Sequence, residues 1–144
     1  MRVMSYNIRG GLGMDGHRDT ARIAQIVGSQ APDVVCFQEV HQRLPWSGWV
    51  DQPRRLRRSL GLAFIFQANL PIGIGGYGLG VATHFPVLHV RRHRLPSAGE
   101  TRGALEVEME TPEGAVTIFC THWGLDREER ARQAFAQALK RQRP

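Results

Sequence analysis

Val34-Val35-Cys36-Phe37-Gln38-Glu39 is the stretch on which the fold turns. Its β-branched and apolar residues fit a strand buried on both faces, and it ends on a carboxylate. Just upstream the period changes. Ile23, Ile26 and Val27 recur at i, i+3 and i+4, which makes a helix face. Asp19 or Thr20 can cap that helix, and Ala31-Pro32 stops it. Further upstream, Val3-Met4-Ser5-Tyr6-Asn7-Ile8 reads as a first strand, and Gly10, Gly11, Gly13 and Gly16 open a loop after it. Strand, helix and strand in this order point to a layered α/β or α+β architecture.

Downstream, residues 41–52 read as a connecting loop carrying Trp46 and Trp49. Pro53 can start a short helix with Leu56 and Leu60 on its apolar side. Arg54, Arg55, Arg57 and Arg58 then face outward, either as a solvated face or against a phosphate backbone. Leu62 to Phe66 reads as a strand. Pro71 to Gly80 is too glycine-dense for a strand interior, and it lacks the Lys-Ser/Thr ending of a phosphate-binding loop. Val81-Ala82-Thr83 and Val87-Leu88-His89-Val90 read as strands around Phe85-Pro86.

From Ala104 to Glu110 the pattern alternates. Leu105, Val107 and Met109 share one face, and Glu106, Glu108 and Glu110 the other, as in a half-exposed antiparallel strand. Thr111-Pro112-Glu113-Gly114 turns the chain into Ala115 to Thr121, apolar on both sides, so the two form a hairpin. Asp126 and Glu129 have capping-box spacing. The helix they open carries Ala131, Ala134, Phe135, Ala138 and Leu139 as an apolar stripe.

The 144 residues suit one domain. No run reaches the ~18 apolar residues of a membrane span. The N-terminus has no apolar signal core, so a cytoplasmic location is expected. Cys36 and Cys120 sit in apolar runs and read as buried thiols. Net charge is +6, and Lys140 is the single lysine among 19 basic residues. That balance favours anionic partners without choosing among phosphate esters, nucleic acid and acidic lipid.

Asn7, Glu39 and His122 each close an apolar strand. If those strands lie side by side, three polar groups gather at one rim. A carboxylate there suits a hard divalent cation, and a histidine can donate to a phosphoryl oxygen. Each also has a plain alternative: a turn asparagine, a first exposed glutamate, a loop histidine.

Arg2 to Arg9 resembles the opening strand of the endonuclease/exonuclease/phosphatase superfamily, and Pro32 to Val40 its second motif, which ends in Gln-Glu. Asp51-Gln52-Pro53 through Leu62 resembles the connector of its bacterial members. Gly76 to Val87 resembles its glycine-led strand pair, Arg102-Gly103-Ala104-Leu105 the next strand, and Thr121 to Leu125 with Glu129, Arg130 and Gln133 its Thr-His segment. The resemblance implies an α+β fold, the DNase I-like four-layer α/β/β/α sandwich. It implies Mg²⁺-assisted attack of water on a phosphate ester, with Mn²⁺ as the alternative ion. By position, Glu39 would bind the metal beside Asn7, and His122 would hold the scissile phosphate. Asn7 and Arg102 would also contact substrate. Leu79 stands where the family usually has Asn, and His84 where it has Arg.

The family's Gly-Asp-Phe-Asn and Ser-Asp-His segments have no counterpart here. Aspartate occurs only at 15, 19, 33, 51 and 126. The expectation is a single domain over 1–144 whose C-terminal part is missing, cut after the first sheet half and its helix. Such a chain would be a monomer or would pair with the missing half. It would bind Mg²⁺ weakly, and it would lack the residue that activates water. The competing reading is a non-catalytic basic module that binds nucleic acid or anionic lipid.

Overall fold

A computed structural model of the chain describes residues 1–141. The elements in order are β1 (Val3–Asn7), α1 (Thr20–Gln30), β2 (Val34–Gln42), α2 (Gln52–Leu60), β3 (Ala63–Ile72), β4 (Gly75–Thr83), β5 (Val87–Leu95), β6 (Arg102–Thr111), β7 (Gly114–Thr121) and α3 (Arg127–Arg141). The start of α1 is set by Asp19, whose carboxylate accepts from the Ala21 and Arg22 amides. Asp51 caps α2 through the Arg54 amide, and Pro53 sits in its first turn.

The strands form two sheets, ordered β1-β2-β4-β3 and β5-β6-β7. Among the described residues only β1 and β2 pair in parallel, as their helical crossover requires. Ile23 and Val27 of α1 and Leu56 of α2 pack on Val35, Phe37 and Val40, covering the outer face of the first sheet. Its inner face meets the second sheet through Val34, Cys36, Leu79 and Val81 against Leu105, Val107, Met109 and Cys120. The result is the α+β sandwich expected from the resemblance.

Three readings change. The glycine-rich stretch is strand after all: β3 and β4 form a hairpin that turns at 73–74. The glycines are there because neighbours leave no room for a side chain. A Cβ on Gly78 would lie 1.9 Å from the Gln67 carbonyl, and one on Gly75 2.0 Å from that of Gln42. β2 runs on to Gln42, so His41 and Gln42 belong to the sheet and not to the following loop. The polar face of β6 is not uniformly exposed. Glu106 is buried, bonded to Arg91 at 2.8 Å and His93 at 2.5 Å, beside the Phe119 that pairs with it across β6 and β7.

α3 begins as expected, with the Glu129 amide donating to Asp126 at 2.9 Å. The reciprocal half of a capping box is replaced, because the Glu129 carboxylate accepts from Gln133 at 3.0 Å. Ala131, Phe135 and Ala138 of its apolar stripe are exposed, and the Leu139 side chain lies outside the described residues. Buried Gln133 anchors the helix instead, bonding the Gly124 amide and the Pro96 carbonyl. β1 and β7 are both edge strands, and the open hollow between them is lined by Ser5, Gln38, Ile118 and Cys120.

Candidate active site

Glu39 is aimed by a fault in β2. Val35 and Phe37 face the helices, and strict alternation would next place residue 39 there. Val40 takes that place instead. The register jumps between Phe37↔Gly80 and Val40↔Gly78, leaving two β2 residues opposite Leu79 alone. Glu39 occupies this bulge with φ +56°. The bulge turns its carboxylate out of both cores toward the sheet's rim, a common use of bulges beside functional sites.

At the rim, the Asn7 amide donates to Glu39 Oε1 at 2.8 Å. The other end of the Asn7 amide accepts from the Arg9 backbone N–H at 3.0 Å, so its orientation is set from both sides. His122 comes from the second sheet, its Nε2 4.0 Å from Glu39 Oε1. Arg102 lies behind it, with Nη1 3.3 Å from His122 Nδ1, and pairs with Glu100 at 3.3 Å. The fold therefore brings Asn7, Glu39, His122 and Arg102 into one cluster.

Burial of the ring, followed by the Arg102 charge, lowers the His122 pKa; Glu39 and Glu100 oppose this. The imidazole is therefore neutral at pH 7. Arginine can only donate, so Nδ1 accepts and the proton sits on Nε2, facing Glu39. At 4.0 Å that N–H is too far away to bond the carboxylate. The donor and the anion stand side by side at the rim, unbonded to each other.

Two neighbours escaped the sequence reading. Glu100 sits in a segment without motif or periodicity. Tyr77 lies in the stretch taken as loop. Burial, and then the charges of Glu39 and Glu100, push the Tyr77 hydroxyl well above its usual range, so it stays protonated. Its ring lies 5.5 Å from that of His41. Leu79 is fully buried between the sheets, and His84 lies toward the opposite end, 3.8 Å from Asp33.

A sequence profile described as "Endonuclease/Exonuclease/phosphatase family" matches residues 4–144. The chain belongs to the endonuclease/exonuclease/phosphatase family. Among solved members of this fold, a family protein from Beutenbergia cavernae superposes with a TM-score of 0.80 at 28% identity, covering 94% of this chain and 42% of that one. A mannosyl-6-phosphatase from Bacteroides thetaiotaomicron gives 0.80 at 19% identity, over 98% and 58%. A humanised TDP2 from D. rerio gives 0.74 at 20% identity, over 100% and 57%. The chain thus spans about two fifths to three fifths of these relatives. No curated protein matches it in sequence. No described helix is long and apolar enough to cross a membrane.

Proposed function

We propose that the cluster is the phosphate- and metal-handling part of a phosphoester hydrolase site. The observation that supports this most is that the His122 N–H stands beside the Glu39 carboxylate at 4.0 Å without bonding it, so both are free to meet a ligand at the rim. A phosphoryl oxygen arriving from the open side of the rim, beside both groups, accepts from His122, and Arg102 keeps the proton on the correct nitrogen. The donor set is hard and oxygen-based, and a Mg²⁺ held chiefly by phosphate needs one or two protein carboxylates. Glu39, oriented by Asn7, would hold the ion, whose chemistry is to polarise phosphoryl oxygens. Mn²⁺ suits the same donors.

Among the described residues no group of three or more His, Cys, Asp or Glu could grip a metal. No Asp-x-Asn occurs to position water. We therefore assign to this chain the binding of phosphate together with an ion that the phosphate chiefly holds, and catalysis to a chain in which further acidic residues join the rim.

The test is thermal shift of the 144-residue protein with MgCl₂ plus inorganic phosphate, alongside turnover of a generic phosphodiester. A shift lost in both Glu39→Gln and His122→Ala, without turnover, is expected. Absence of any shift would refute the binding site. Mg²⁺-dependent turnover abolished by Glu39→Gln would refute the division of labour.

A further inference from the structure

α2 is built against its own helix dipole. Arg54 and Arg55 occupy its first turn, where the dipole disfavours cations; the only acid at that end is the cap residue Asp51. Arg57 and Arg58 follow in its last turn. Arg54 stands three and four residues from Arg57 and Arg58, and Arg55 stands three from Arg58. Each spacing places like charges side by side and costs helix stability. All four are exposed, and among the described residues none forms an ion pair. The nearest acid in sequence, Asp51, is taken by Arg43 at 3.2 Å and by the cap. Asp51 lines the same hollow as Arg54, Arg55 and Arg58, but among the described residues no carboxylate forms an ion pair with any of the four arginines.

Large apolar side chains project beside it. Trp49 is 60% exposed and lines a shallow hollow together with Arg54, Arg55 and Arg58. It is held at φ +59°, a region that costs a bulky residue about 1–2 kcal/mol. Trp46 is 54% exposed on the same loop. Ile74 is 76% exposed at the tip of the β3–β4 hairpin. Gly75 packs against the Gln42 and Arg43 carbonyls, at the stem of the tryptophan loop, so hairpin and loop are neighbours. The tryptophan loop, the hairpin tip and the first turn of α2 stand at the end of β2 that carries Glu39, where Gln42 meets both Asp51 and Gly76. They lie toward α2 and β3, whereas the open hollow lies beyond β1 at the other edge.

We infer that this face docks on an anionic lipid surface. Tryptophan suits the interfacial zone of a bilayer, an aliphatic hairpin tip enters the acyl boundary, and arginines meet headgroup phosphates. A nucleic acid would use the arginines and could stack on a tryptophan, but it takes an isoleucine only as a wedge between base steps, at the cost of unstacking them, whereas the acyl boundary accepts it without that cost. The complement that accounts for all three features is therefore lipid.

Co-sedimentation of the full chain with phosphatidylcholine vesicles, with and without about one third phosphatidylserine, tests this. The expected result is binding to the anionic vesicles only, weakening as salt rises. Trp49→Asn with Ile74→Ser should abolish it while leaving the melting temperature in place. Asparagine tolerates the positive φ, and both sites are exposed. Arg54→Ala/Arg55→Ala/Arg58→Ala should weaken binding tenfold or more. Binding to neither vesicle would overturn the inference. So would binding of a single-stranded oligonucleotide without vesicle binding, or vesicle binding unchanged in the Trp49/Ile74 variant. None of these readouts involves hydrolysis, so docking and the phosphoesterase reading can fail separately.

Discussion

Gln52 joins three parts of the molecule through one buried amide. It is 1% exposed. Its Oε1 accepts from the His41 backbone N–H at 2.9 Å, and its Nε2 donates to the Gly10 carbonyl at 2.6 Å. The first strand's loop, the strand bearing Glu39 and the start of α2 therefore share one side chain. Gln52→Met keeps length and approximate volume but removes both bonds. Each stranded buried partner costs about 1–3 kcal/mol, so the loss is about 2–6 kcal/mol. A domain of this kind has about 5–15 kcal/mol in total, and each kilocalorie moves its midpoint by about 4 °C. Thermal and urea unfolding followed by circular dichroism should show a fall of about 8–24 °C with an unchanged urea slope. Gln52→Glu sharpens the test. Its carboxylate can still accept from His41 but repels the Gly10 carbonyl, so it should be destabilised at pH 7. It should recover in part under mild acid, where a protonated oxygen donates to Gly10. A loss below about 1 kcal/mol in Gln52→Met, or a Gln52→Glu protein as stable as the parent at pH 7, would refute the bridging role.

Glu106 gives a pH signature. Burial raises its pKa, but His93 and Arg91 more than offset this, and the net shift is downward. A carboxylate with a lowered folded pKa stabilises above its unfolded value and loses that contribution as pH falls. Below about pH 4.5 the parent should therefore lose stability faster than Glu106→Gln, and matching urea midpoints across acid pH would count against it. Arg102→Met should raise the His122 pKa, because the guanidinium charge is among the causes holding it down. The ring's Cε1 proton, followed by NMR through pH, reports this directly, and an unmoved or lowered titration would show that burial alone governs the ring.

Much of the local organisation is legible along the chain. The 3.6-residue period of Ile23 and Val27, the cap at Asp19, the start of α2 at Pro53, and the apolar run from Val34 each depend on residues within a few positions of one another. The strand-end positions of Asn7, Glu39 and His122 were readable for the same reason. The glycine stretch misled because glycine density signals a turn when read locally. In the fold it records the close approach of Gln67 and Gln42 backbones from other strands. Glu106 misled similarly, since alternation separates two faces but does not reveal that Arg91 and His93 wait on the polar one.

Legible along the chain are the order of the elements, the type of those outside the glycine-rich hairpin, the pairing of β6 with β7, and the residue types placed at strand ends. Those follow from periodicity, capping and turn chemistry, which act over a few residues. Only the tertiary structure decided that β2 bulges at Glu39, that Arg102 stands behind His122, and that Tyr77 and Glu100 join them. Register between strands far apart in the chain sets those positions. Burial then sets the charge state of His122, because desolvation and neighbouring charge arise only once both sheets have packed.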